Sequence, residues 1–208
     1  MNDGSWKVKG LGLVITFLLM VGCSDTQPLE PTSSPPPVPS STGSSPASAT
    51  ASAVGLDFQA PEGWIQEAPS SSMRVAQYRI PREGGDDADS EMVVFHFGGG
   101  GGAVQANVDR WVSQFTTDDG GSVSDQAQIS NRQGNGLAIT LVDVSGTYHE
   151  SQGPMMAETT ARSGYRMLAA VVDGPGGPWF LKLTGPENTV NASETAFESL
   201  LSSLQVGG

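Results

Sequence analysis

The chain has 208 residues, 22 acidic against 10 basic side chains, a formal net charge of −12 and a single cysteine. This balance argues against nucleic acid as a partner, since a phosphate backbone is bound by clustered Lys and Arg. One thiol excludes a disulfide within the chain, so the fold is held by its core alone, which a domain of about 150 residues can supply.

Lys7 and Lys9 form a short positive region, and Leu11 to Val21 form an apolar core that gives way at once to Ser24-Asp25-Thr26-Gln27-Pro28. A membrane span needs about 20 apolar residues. The segment therefore reads as a signal peptide over residues 1–22. Leu18-Leu19-Met20-Val21-Gly22-Cys23 resembles the lipobox of bacterial lipoproteins, with a small residue before the cysteine and Met20 standing where leucine is usual. That resemblance implies a thioether-linked diacylglycerol on Cys23, often with an acylated α-amino group, and a domain held outside the cytoplasm. At ~0.8 kcal/mol per buried methylene, two or more chains anchor stably. The alternative is an ordinary cleaved signal peptide, or an uncleaved anchor, with Cys23 a stray thiol.

Removing residues 1–22 takes away Lys7, Lys9 and Asp3 and leaves 8 basic against 21 acidic side chains, a net charge of −13. An acidic domain does not dock on anionic lipid by itself. The expected contact with the bilayer is Cys23 alone.

Residues 23–54 are Pro, Ser, Thr, Ala and Gly with hardly an apolar side chain, including Pro35-Pro36-Pro37. Such composition buries too little surface to offset ordering entropy and predicts a disordered tether. Biased toward polyproline II at about 3.1 Å per residue, it would reach on the order of 90 Å.

The domain is expected over residues 55–206. Phe58 to Trp64 reads as a short strand with a Pro61/Gly63 turn. Met73–Ile80 and Glu91–Phe97 read as strands, the second closed by five glycines, Gly98 to Gly102. Val104, Val108, Trp111, Val112 and Phe115 then mark the apolar stripe of a helix that Asp118-Asp119-Gly120-Gly121 ends. Val123–Arg132 and Leu137–Tyr148 predict a hairpin around Gly134-Asn135-Gly136. His149 to Arg162 reads as a loop, Tyr165–Val172 and Trp179–Thr184 as another hairpin, and Val190–Leu204 as a closing helix with Asn188 or Thr189 at its N-cap. The pattern predicts a single α+β domain, an antiparallel sheet of about five to seven strands covered by two main helices.

Phe58-x-x-Pro61-x-Gly63-Trp64, the Tyr165–Val172 strand, Trp179 to Pro186 and a closing helix with Phe197 and Leu200-Leu201-Ser202-Ser203-Leu204 resemble the PsbP-like superfamily. Asn107-Val108-x-Arg110-Trp111-x-x-Gln114-Phe115 is similar to a stretch in bacterial lipoproteins of no assigned role. The resemblance covers residues 56 to 205 and implies an α/β/α sandwich. It implies no particular function, since the superfamily includes a photosystem II extrinsic subunit, assembly factors and a Ran-binding protein. The photosystem subunit's metal-ligand motif is absent, and no site residue is carried over.

Candidate chemistry is sparse. Five glycines between strand and helix mimic a phosphate-binding turn, but no Gly-Lys-Ser/Thr follows, and a flexible connector is the simpler reading. Asp86, Asp87, Asp89 and Glu91 cluster oxygen ligands, and Asp87-x-Asp89-x-Glu91 begins like a calcium loop that then fails, with Met92 at the glycine position and Gly98 at the closing glutamate position. A solvated acidic loop competes with weak calcium binding there. His96 and His149 belong to no zinc pattern, no Gly-x-Ser-x-Gly elbow occurs, and no cofactor is implied. Asn107, Arg110 and Gln114 lie near one another on the first helix; they read either as architecture, with Asn107 capping the glycine turn, or as one wall of a ligand groove.

The expected function is a lipid-anchored, non-enzymatic binding or assembly module of the cell envelope with an envelope protein as partner. A small-ligand or calcium-binding domain is the alternative, and a hydrolase without a recognisable motif the third reading. A concave pocket with convergent polar groups would favour a ligand, and a flat apolar patch a protein.

Overall fold

The computed structural model describes residues 50–53, 55–98, 101–151 and 159–207. The expected signal peptide, Cys23 and nearly all of the expected tether lie outside the described residues. Period-two alternation dictates most of the remainder. The strands are β1 (Thr50–Ala53), β2 (Leu56–Gln59), β3 (Ile65–Glu67), β4 (Arg74–Ile80), β5 (Ser90–His96), β6 (Phe115–Thr116), β7 (Gln128–Gly134), β8 (Leu137–Ser151), β9 (Thr159–Gly174), β10 (Gly177–Pro186) and β11 (Gln205–Val206). The helices are α1 (Val104–Val112) and α2 (Glu187–Ser202). Neither is long and apolar enough to cross a membrane.

β3, β4, β5, β10, β9, β8 and β6 lie side by side in that order, all antiparallel, and β7 pairs with β8. The fold is α+β as expected, but this sheet has eight strands rather than five to seven, and β1, β2 and β11 form a second antiparallel sheet.

β10 sits inside the large sheet, between β5 and β9. Its alternation divides the core. Trp179, Leu181 and Leu183, all 0 % exposed, join Tyr78, Met92 and Val94 against Val190, Phe197, Leu200 and Leu201 of α2. Phe180 faces the other way, into a second cluster with Val108, Trp111 and Val112 of α1 and with Val142, Val144, Met167, Ala169 and Val171. Each fully buried large apolar side chain contributes about 1.5–3 kcal/mol, so this strand is a major anchor of both layers.

Several boundaries differ from the sequence reading. β1 lies in the stretch assigned to the tether, because pairing with β2 uses backbone groups and needs no apolar side chain. Phe115 continues the α1 stripe in spacing, yet it is in β6 opposite Tyr148 and reaches the same cluster as a strand residue. The segment from His149 to Arg162 is not all loop: β8 runs to Ser151, β9 begins at Thr159, and Tyr148 pairs with Arg162; residues 152–158 lie outside the described residues. The first hairpin is shifted, to β7 and β8, and turns at Asn135-Gly136, both with positive φ (52° and 80°), as a two-residue turn requires. Asn135 Nδ2 then donates to the Ser202 and Leu204 carbonyls, closing the C-terminal end of α2.

The start of α2 also differs. It begins at Glu187, and neither Asn188 nor Thr189 caps it. Asp86, from the β4–β5 connection, accepts from Thr189 N at 2.8 Å, from Thr189 Oγ1 and from Asn188 Nδ2. A carboxylate brought from a distant loop meets the free N–H groups and positive end of the helix. The Thr189 hydroxyl, ahead of the other partners, holds the Asp86 carboxyl below the usual carboxylate range.

Gly185 faces Ser90 across the β5–β10 pair so closely that an added Cβ would lie 2.7 Å from Ser90 Cα. Gly185→Ala is expected to cost about 2–3 kcal/mol in urea unfolding. A cost below about 0.5 kcal/mol would show that the pair relaxes freely.

Candidate functional site

The sheet face opposite α2 is only partly covered. β10 presents Phe180, Lys182 and Thr184 there; in register with them, β5 presents Phe95, Val93 and Glu91, and β9 presents Val171, Ala169 and Met167. α1 covers the Phe180 end, with the Trp111 ring edge-on to Phe180 at 5.9 Å. The glycine turn allows that approach: a Cβ on Gly101 would lie 2.7 Å from the Phe180 ring. Asn107, 4 % exposed, holds the turn by donating to the Gly101 carbonyl at 2.7 Å and the Ala103 carbonyl at 3.1 Å.

Beyond α1 the face opens as two adjoining cavities that share Phe95 and Lys182. One, of about 310 Å³, lies along α1, where Arg110 and Gln114 face Lys182. The other, of about 330 Å³, runs over Arg74, Asp89, Glu91, Tyr148, Glu150 and Thr184. Together they form one cleft with Lys182 at its middle.

Each carboxylate of the cleft already has an arginine. Glu91 pairs with Arg74 at 2.5 Å, Asp89 with Arg79 at 3.0 Å and Glu150 with Arg162 at 3.2 Å. Lys182 has neutral partners: Nζ donates to Gln114 Oε1 at 2.8 Å and, at the outer limit of a hydrogen bond, to Tyr148 Oη at 3.5 Å. It also lies 5.0 Å from the Tyr148 ring centroid, within cation–π range. Gln114 is fixed in turn, since its carbonyl accepts from His149 N at 2.7 Å.

The electrostatics follow from this arrangement. Burial pushes the Lys182 ammonium down to about 8; Glu91 pulls it up, and Arg110 and Arg74 push it down further. Burial, seconded by Glu150 and Glu91, pushes the Tyr148 phenol up to about 12. Tyr148 is thus neutral and Lys182 still mainly protonated at pH 7. A protonated, partly reachable ammonium without a carboxylate, beside a second cation, is suited to receive an anion.

Of the residues singled out in the sequence, Asn107, Arg110 and Gln114 are brought together. Arg110 Nη2 donates to Asn107 Oδ1 at 2.6 Å. Arg110 and Gln114 line the cleft, whereas Asn107 is buried behind it and acts on the turn. Asp86, Asp87, Asp89 and Glu91 do not converge. Asp86 caps α2, the Asp87 carbonyl accepts from Arg82, Asp89 meets Arg79 and the Arg82 N–H, and Glu91 meets Arg74. No group of three metal-ligating side chains able to hold an ion occurs among the described residues. His96 stacks on Trp179 at 4.0 Å, and His149 Nε2 lies 2.9 Å from Thr116 Oγ1.

Sequence reasoning missed Lys182, Tyr148 and Arg74. A signal for Lys182 was present: it is the only lysine after Lys9, and it interrupts an otherwise apolar strand from Trp179 to Leu183.

No family model matches the chain, and no curated protein matches it. Solved structures do show likeness. Cyanobacterial PsbP (CyanoP) from Synechocystis sp. PCC 6803 is 16 % identical over 74 % of this chain and 87 % of its own, with a TM-score of 0.43. PA94 from Pseudomonas aeruginosa, a protein of unknown function, is 13 % identical over 73 % of this chain and 92 % of its own, with a TM-score of 0.44. LpqN of Mycobacterium tuberculosis, involved in cell envelope biogenesis, is 13 % identical over 74 % of this chain and 83 % of its own, with a TM-score of 0.42.

Burying the Lys182 ammonium costs about 3 kcal/mol at neutral pH, so Lys182→Met is expected to stabilise the protein by about 1–3 kcal/mol in urea unfolding at pH 7. The folded value lies below the unfolded one. The unfolded chain therefore binds more protons, and Lys182 makes stability rise with pH between about 8 and 10. That rise should vanish in Lys182→Met; a Met variant less stable than the native chain at pH 7 would mean that Lys182 is structural.

Proposed function

We propose that the protein is a cell-envelope lipoprotein anchored through Cys23, and that its domain is a non-enzymatic binding module whose binding site is the Lys182 cleft. The observation that carries this reading is the charge arrangement: every carboxylate in the cleft is paired with an arginine, and the one lysine of the domain is left with neutral partners. An ammonium so placed lowers stability, and such a cost persists where function requires it. A cleft with convergent polar groups on an apolar floor suits an inserted ligand better than a flat protein face does. The lipobox-like segment before Cys23 supports the anchor and the extracytoplasmic location.

The test is native mass spectrometry of the full-length protein recovered from its own envelope. A small-molecule adduct is expected on the native chain and is expected to be lost from an Arg110→Gln/Lys182→Met variant. An adduct that survives both substitutions, or a specific cross-linked protein partner in place of any adduct, would overturn the cleft as the binding site. Cys23→Ala is expected to move the protein from the membrane to the soluble fraction; retention in the membrane would sink the lipid anchor.

A further inference from the structure

The two halves of the cleft differ in charge. The carboxylates Asp89, Glu91 and Glu150 all line the half away from α1. The half along α1 has no acidic lining residue and is bounded by two cations, Arg110 and Lys182, with the Gln114 amide beside them. Neither cation has an ion pair among the described residues, whereas Arg74, Arg79, Arg132, Arg162 and Arg166 all do. In a domain with 19 acidic side chains available, leaving two cations unpaired against one cavity is a selective arrangement. Donors remain as well: a guanidinium carries five N–H groups and an ammonium three, and the bonds to Asn107, Gln114 and Tyr148 leave several unused.

The same half has an apolar rim. Met73 and Phe97, 54 % and 39 % exposed, stand at its mouth, and Phe95, Trp111 and Phe180 form its floor and wall. Exposed large apolar side chains beside unpaired cations match a ligand with one charged end and an apolar body.

Resting on the cleft being the binding site, we infer that its ligand is an amphiphilic anion, with a carboxylate or phosphate seated against Arg110 and Lys182 and its apolar body over Phe97 and Met73. The acidic domain disfavours adsorption of such an anion elsewhere on its surface, so one site is expected per chain.

The test uses the full-length chain with 13Cε-labelled lysine, the Lys182 signal being assigned by its loss in Lys182→Met. Octanoate, octyl phosphate, 1-octanol and octyltrimethylammonium are titrated separately, with affinity followed by calorimetry. Both anions are expected to shift the Lys182 signal, to bind at least tenfold more tightly than the alcohol, and to lose at least tenfold in affinity in Arg110→Gln. Arg110 is exposed, so that variant is expected to keep the fold, which its unfolding curve checks. The relative affinities of octanoate and octyl phosphate separate a carboxylate from a phosphate head, and tighter binding of either fits the inference. Equal binding of octanol or the cation at Lys182, or anion affinity unchanged in Arg110→Gln, would overturn the anion while leaving a cleft that binds ligands. If no probe shifts Lys182, the inference fails; the envelope adduct and its loss in the double variant then decide the broader reading independently.

Discussion

The alternation of β10 is the constraint on which the rest of the structure depends. A strand inside a sheet with a helix layer on each face must satisfy two cores at once, and a one-residue slip would exchange them. Trp179, Leu181 and Leu183 are committed to α2, so Phe180, Lys182 and Thr184 are committed to the opposite face. α1 closes that face only over Phe180 and Trp111. The cleft is the part of the second face that α1 borders but does not cover, and Lys182 stands in it because the register of β10 leaves it no other place.

Charge is distributed around that constraint by pairing. Arginines on β4 and β9 take the acids: Arg74 takes Glu91, Arg79 takes Glu67 and Asp89, Arg162 takes Glu150, and Arg166 takes Asp143 and Glu194. The more exposed of these pairs contribute about 0–1 kcal/mol each, so their larger consequence here is where charge is left over. What is left over on the open face is cationic and lies at Lys182 and Arg110. A structural lysine would snorkel its ammonium to water along an apolar stem; this one is held inward by Gln114 and Tyr148.

Much of the fold was legible in the sequence because it is written in periodicity. Met73 to Ile80, Glu91 to Phe97 and Trp179 to Thr184 alternate, the α1 and α2 stripes repeat at helical spacing, and Asn135-Gly136 marks its hairpin. What was not legible depends on partners far away in the chain. β1 is a strand because β2 is beside it, Phe115 leaves the helix because Tyr148 pairs with it, and α2 starts where Asp86 reaches it. At the site, the spacing of Asn107, Arg110 and Gln114 indicated one wall, whereas Lys182, 68 residues beyond Gln114, joins it only through the sheet. The acidic run from Asp86 to Glu91 misled because composition shows the carboxylates but not the separate cations and helix end that take them.

The central claim is that Lys182 is a desolvated cation without a counter-charge in the folded protein. Its most direct test is titration of the Lys182 side chain itself, followed through the 13Cε shift in the ligand-free full-length protein. A midpoint near 8 is predicted, well below the ordinary lysine value of 10.5. A midpoint at or above 10.5 would mean that the ammonium is solvated or already paired with a carboxylate, and would contradict both the cleft as a binding site and the anion assigned to it.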